Sequence, residues 1–252
     1  MESQSPSLAT VVRGDPASLP RHIGVAAVSP VGASLFYKRL FAHIAHTLPA
    51  SQQPRITFHN EPLTEYIRAA EQLNWPAVGG LLAKSARILH HAGAEVCVTP
   101  DNAVQFSLHL AETDSPIPWI AMTDTATTVI ERDNRSTVGL LGTKWVTGGS
   151  VYQTALGMKG IKAVAPAESD SDILHAIILG ELVFGEVSSA SQAKIDEIIN
   201  RLLDRGVDSI LLCCSEGQLA TTAERCPVPI YDSVDILAEH VVNWTLSANI
   251  TS

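Results

Sequence analysis

The chain carries one sequence pattern twice. The segment ILHHAGAEVCVTPDNA, from Ile88 to Ala103, aligns with RLLDRGVDSILLCCSE, from Arg201 to Glu216, and puts Gly93 opposite Gly206 at an offset of 113. Upstream, Ile23-Gly24-Val25 and Tyr37 fall opposite Val138-Gly139-Leu140 and Tyr152 at an offset of 115. Downstream, PIPWI from Pro116 matches PVPIY from Pro227 at an offset of 111. Three matches in one order at nearly constant spacing point to tandem duplication of a whole lobe. At one aligned position the halves differ in chemistry: the first has Asp101, the second Cys214.

Each half alternates short apolar runs with helical spacing. In the first, Ile23 to Val28, Arg55 to Phe58, Val96 to Thr99 and Trp119 to Met122 read as strands. Ser34 to Leu48 and Pro76 to Ala92 read as helices, the second stopping at Gly93, and Asp101-Asn102 read as helix-starting residues. In the second, strands are expected at Val138 to Leu141, Ile161 to Val164, Ser209 to Cys213 and Val228 to Tyr231. Helices are expected from Gly149, over Ser191 to Arg205 and after Ser215. The expected fold is α/β: two pseudo-twofold-related lobes, each an open, mostly parallel sheet flanked by helices, with the active site in the interlobe cleft. Residues 1–21, Ser/Pro-rich and aperiodic, read as a flexible tail. Residues 22–127 form the first lobe and 128–232 the second. A last helix, Val234 to Leu246 within the closing stretch 233–252, has no evident counterpart and is expected to return to the first lobe.

A net charge of −9 over 252 residues argues against nucleic acid and anionic membranes as partners. No apolar stretch approaches the length of a membrane span. Cys97, Cys213, Cys214 and Cys226 show no disulfide-framework spacing and no CxxC pair, which fits free thiols, a cytoplasmic setting and no metal. His90 and His91 suit a helix end rather than a metal. No GxGxxG, P-loop or GxSxG occurs, so nucleotide-cofactor and serine-hydrolase chemistry have no footing.

In open parallel sheets, ligands sit beyond the carboxyl ends of strands, where Asp101 and Cys214 both fall. Two proton-transfer groups approaching one carbon from opposite faces are what a cofactor-free racemase needs. A helix N-terminus is expected to lower the Cys214 pKa, and burial to raise that of Asp101. Ser29, Asn102, Thr143 and Ser215 are small polar residues at strand ends, suited to a substrate carboxylate. Glu216 could bind a substrate ammonium or favour the first helical turn. Asp101 could instead cap a helix.

At these residues the chain resembles the aspartate/glutamate racemase superfamily, the PLP-independent group that includes hydantoin racemases, maleate isomerases and arylmalonate decarboxylases. LLCCSEGQL from Leu211 looks like that group's Gly-Cys-Thr-Glu segment, and PVPIYDSVDILAEHVV is similar to its closing strand and helix. GLLGTKW from Gly139 and IGVAAVSPVGAS from Ile23 resemble its lobe-opening turns. The first catalytic segment, elsewhere Cys-Asn-Thr-Ala-His, stands here as Asp101-Asn102-Ala103-Val104-Gln105, and the position where a His often follows in the closing segment is Leu237. A two-thiol racemase is thereby excluded.

The resemblance implies two similar lobes with the catalytic pair between them, no cofactor, a small carboxylate-bearing substrate and a homodimer. It makes Asp101 and Cys214 the acid/base pair and groups Ser29, Asn102, Ala103, Thr143, Ser215 and Glu216 around the substrate. The activity it implies is racemisation or epimerisation of an acidic or related α-amino acid. A decarboxylase or cis-trans isomerase of a small dicarboxylate, with Cys214 as sole thiol, is one alternative. A ligand-binding relic without catalysis is the other. Substrate specificity is expected from loops near Asn60 to Tyr66 and Gly148 to Val151.

Overall fold

The computed structural model describes residues 20–247. The expected tail lies outside that range except for Pro20 and Arg21, the latter stacked over the Trp244 ring at 4.5 Å. Two four-stranded sheets organise the chain. The first is ordered β2 (Ile56–Asn60), β1 (Ile23–Ala27), β3 (Val96–Val98), β4 (Trp119–Ile120), and the second β6 (Lys162–Val164), β5 (Thr137–Gly142), β7 (Ser209–Cys213), β8 (Ile230–Asp232). Every pairing is parallel and the order is the same in both. The central strands IGVAA and SILLC are buried along their whole length. Continuous apolar strands of this kind need helices on both faces.

Helix α1 (Pro30–Thr47) starts four residues earlier than its periodicity indicates, because Ser29 caps it: the Gly32 amide donates to Ser29 Oγ at 3.1 Å, and Pro30 occupies the first turn. Helix α2 (Leu63–Glu71) leads to α3 (Trp75–His91), capped by Asn74. Gly93 follows α3 at φ 92°, and Gly206 follows α9 (Ser189–Leu203) at φ 79°. Both lie in the left-handed region, where a Cβ is strained, so the aligned glycines perform one task in each lobe.

The opening helix of the second lobe is broken into α6 (Lys144–Thr147) and α7 (Val151–Gly157) around Gly148-Gly149. The break changes the helical phase. Tyr152 and Leu156 are buried on α7, while on α1 the buried pair is Phe36 and Leu40 and Tyr37 stays 44% exposed. The pairing of Tyr37 with Tyr152 therefore fails: the inward aromatic of the first lobe is Phe36.

Helix α4 (Leu108–Thr113) precedes β4, and α8 (Glu168–Gly180) and α10 (Gly217–Ala220) complete the second lobe. Two further helices correct the reading of the duplication. The chain after β4 forms α5 (Met122–Arg132), a helix its sequence did not announce, and the lobe boundary expected at 127/128 falls inside it. The chain after β8 forms α11 (Ser233–Ser247), so the last helix does have a counterpart. The two are exchanged between lobes. Val234, Leu237, Ala238, Val241 and Val242 of α11 bury against Ile23, Val25, Phe36 and Leu40 of the first lobe. Ala126 and Ile130 of α5 bury against Val138, Leu140, Tyr152 and Leu156 of the second. Each fully buried Leu or Val in this exchange contributes about 1.5–3 kcal/mol, so the swap fastens the lobes together. Among the described residues no helix is long and apolar enough to cross a membrane.

Candidate active site

Four strand ends open into one cleft. The ends of β1 and β5 supply Ser29 and Thr143, and the ends of β3 and β7 supply Asp101-Asn102-Ala103 and Cys214-Ser215-Glu216. All eight residues singled out from the sequence line this cleft, which encloses about 620 Å³ counting its open mouth. Residues from both lobes face it.

Asp101 is buried and accepts from the Ala103 amide at 2.9 Å. That bond makes an Asx turn and not a helix cap, since the chain runs through a 3-10 turn at Gln105–Ser107 before α4 begins. Burial pushes its carboxyl up to about 7, with the charge of Glu216 adding to the rise, while the amides of Ala103, Val104 and Ser29 oppose it. Gln105 fixes the segment from below: its amide donates to the carbonyls of Thr99 and Asp101 at 3.3 and 3.1 Å, and its oxygen accepts from the Met122 amide at 3.1 Å.

Cys214 behaves opposite to the sequence expectation. Its thiol is pushed well above the ordinary range, first by burial, then by the charge of Glu216, and further by Asp101. The helix meant to lower it, α10, is four residues long and starts at Gly217, too short to build much dipole. The thiol donates to Glu216 Oε2 at 3.3 Å. Glu216 Oε1 accepts from the Ser29 hydroxyl, so its carboxylate joins the openings of the two lobes. Cys214 is thus held as a thiol, a proton donor in the resting protein. Cys213 packs in the cluster with Tyr152 and Leu211, whereas Cys214 packs with Leu212 and Ile198, the alternation a strand requires.

Asn102 is engaged by the protein on both sides of its amide. Its oxygen accepts from Tyr152 Oη at 2.6 Å, and its nitrogen donates to Ser233 Oγ at 3.1 Å, which itself donates to the Leu212 carbonyl at 2.7 Å. It bridges the lobes. Thr143 Oγ1, by contrast, is buried with no hydrogen-bond partner among the described residues. A buried hydroxyl left unpaired at a cleft wall fits a group that a ligand completes.

The rest of the wall was not foreseen. Of the two expected specificity loops, the first contributes through α2, whose Leu63 and Tyr66 line the cleft, while Gly148 to Val151 does not reach it. Trp75, Trp145, Ile178, Leu179 and Val183 also line the cavity. The signal that could have found Trp145 was its position two residues beyond Thr143 in the lobe-opening turn. No sequence signal separates Ile178 or Val183 from ordinary core residues.

The family model for Asp/Glu/hydantoin racemase matches residues 25–241. Among solved structures the chain is similar to a candidate Asp/Glu racemase from Yersinia pestis, with 25% identity, 90% of this chain and 99% of that one covered, and a TM-score of 0.80. It is also similar to an aspartate racemase homologue from Pyrococcus horikoshii OT3, at 22% identity over 89% of this chain and 99% of that one, with a TM-score of 0.75. A glutamate racemase from Francisella tularensis, solved with D-glutamate, shares 15% identity over 92% of this chain and 84% of that one, with a TM-score of 0.68. The last two likenesses are of fold.

Proposed function

This chain belongs to the Asp/Glu/hydantoin racemase family, and from that premise we propose that it is a cofactor-independent racemase or epimerase of a small carboxylate-bearing substrate, with Asp101 and Cys214 as the opposed acid/base pair. One observation carries the reading. Two proton-transfer groups reach a single cleft from different lobes, one a carboxyl near 7 and the other a thiol held protonated.

In the forward direction the Asp101 carboxylate removes the α-proton, and the carbanion's charge spreads into the substrate carboxylate, which we assign to the Thr143 hydroxyl. The Cys214 thiol then delivers its proton to the opposite face. Each turnover leaves Asp101 protonated and Cys214 as thiolate, which is the state needed for the reverse reaction. Loss of the Asp101 proton to solvent and return of a proton from solvent to sulfur reset the site. The high pKa of Cys214 makes that thiolate a strong base, so the reverse abstraction has a capable acceptor. In this reading Glu216 takes the substrate ammonium. A decarboxylase acting on a malonate fits less well, because two substrate carboxylates would meet Asp101 and Glu216 with no cation lining the cleft.

Cys214→Ala should lower turnover by at least about 10²–10⁴-fold, the usual share of a positioned acid/base group, with the fold retained by circular dichroism. Cys213→Ala should change turnover far less, since Cys213 borders the cleft but packs with Tyr152 and Leu211. Equal activity of Cys214→Ala and the unmodified protein would remove Cys214 from the reaction.

A further inference from the structure

The cleft lining is mostly apolar, and its charge is of one sign. Its only charged lining residues are Asp101 and Glu216, both acidic, and no Lys, Arg or His is among its walls. His175 packs edge-on against Trp145 at 4.7 Å, with its pKa lowered chiefly by burial, and two cations on neighbouring elements have partners of their own. Lys144, one residue before Trp145, pairs with Asp172 at 3.3 Å, and Arg39 pairs with Gln218 at 3.1 Å and Asp235 at 3.7 Å. Beyond the strand ends the wall is built by Leu63, Ile67 and Trp75 from one lobe and Trp145, Leu179 and Val183 from the other. All six are only partly buried.

A carboxylate placed there would lose its hydration against hydrocarbon and indole, with no cationic lining residue to pair with, and would share the cleft with two acidic groups. An alkyl or aryl group would displace water from the same walls at no such penalty. We infer that the substrate's α-substituent is uncharged and apolar, of branched-alkyl or aryl type, and not the second carboxylate of an acidic amino acid. The inference rests on the reading of the cleft as a racemase site: the α-carbon then stands between Asp101 and Cys214, and its substituent extends between Trp75 and Trp145.

Two readouts on the full chain test it separately from the racemase reading. In the first, the protein is incubated in deuterium oxide with each enantiomer of leucine, phenylalanine, their 5-substituted hydantoins, aspartate and glutamate, and α-deuterium is read by mass spectrometry. In the second, binding of 3-phenylpropionate and of succinate, neither of which carries a stereogenic α-carbon, is measured by calorimetry. The expected result is exchange into at least one apolar-substituted compound at least about tenfold faster than into aspartate or glutamate, with 3-phenylpropionate bound at least about tenfold tighter than succinate. Exchange confined to aspartate or glutamate, or tighter binding of succinate, overturns the apolar assignment and leaves the acid/base pair standing. Preferential binding of 3-phenylpropionate with no exchange into any compound supports the assignment and counts against the racemase reading instead.

Discussion

Cys214 donates its thiol proton to Glu216 Oε2 across 3.3 Å, a contact within one lobe that keeps the proton on sulfur. Burial is the larger cause of the raised thiol pKa, and Glu216 adds to it by charge and by accepting the bond. Glu216→Gln removes the charge and leaves the burial. The pH at which Cys214 becomes alkylated by iodoacetamide, mapped by peptide fragmentation, should then fall. An unchanged or higher midpoint would mean that Glu216 does not set the thiol.

Asp101 carries a stability cost with a definite sign. Its carboxyl titrates near 3.8 when unfolded and about 7 when folded, raised chiefly by burial. Below the lower value both states are protonated and nothing is lost. Between the two, stability falls as pH rises, and above about 7 the penalty is complete. Asp101→Asn, which cannot ionise, should stabilise the protein by at most about 4 kcal/mol at pH 8, and by about 2–3 kcal/mol less at pH 5. Denaturant unfolding of both proteins at the two pH values measures this. Equal gains at pH 5 and pH 8 would contradict the raised carboxyl.

The first turn of α1 lies close against Ser215-Glu216. A Cβ on Gly32 would stand 2.4 Å from Ser215 Cβ and 3.1 Å from Glu216 Oε1. Gly32→Ala must therefore push α1 away from Ser215-Glu216, at a cost of about 1–3 kcal/mol and with at least about a tenfold loss of kcat/KM. Gly157→Ala is the control, since nothing lies within 4 Å of its added methyl. Unfolding and kinetics that do not distinguish the two substitutions would show that this contact is slack.

The parts of the site that could be read from the sequence are those that topology dictates. A parallel strand delivers its next residues to one edge of its sheet, so Asp101 and Cys214, aligned across the repeat, each had to lie at the carboxyl edge of their own lobe's sheet, while the meeting of those two edges comes from lobe packing. Helix α5 could not be read that way. MTDTATTVIER has four Thr residues and a Val, no side-chain cap and weak intrinsic propensity, and it is helical because Ala126 and Ile130 are buried in the second lobe. The protonated state of Cys214 was also hidden, because it depends on how short α10 is and how deeply the sulfur is buried. The apolar lining of the cleft comes from α2, α3, α6, α8 and the 3-10 turn Leu182–Phe184, whose inward residues look like any core stripe. Only the packing of two lobes leaves some of them facing a cavity.

The central claim is that Asp101 and Cys214 serve opposite faces of one carbon. Solvent-deuterium exchange, measured separately from each enantiomer of a turned-over substrate in the unmodified protein, Asp101→Asn and Cys214→Ala, tests it most directly. Asp101→Asn should suppress exchange from one enantiomer more severely than from the other, and Cys214→Ala should show the reverse preference. Undiminished exchange from both enantiomers in Asp101→Asn would leave Asp101 as the residue of an Asx turn and contradict the two-sided mechanism.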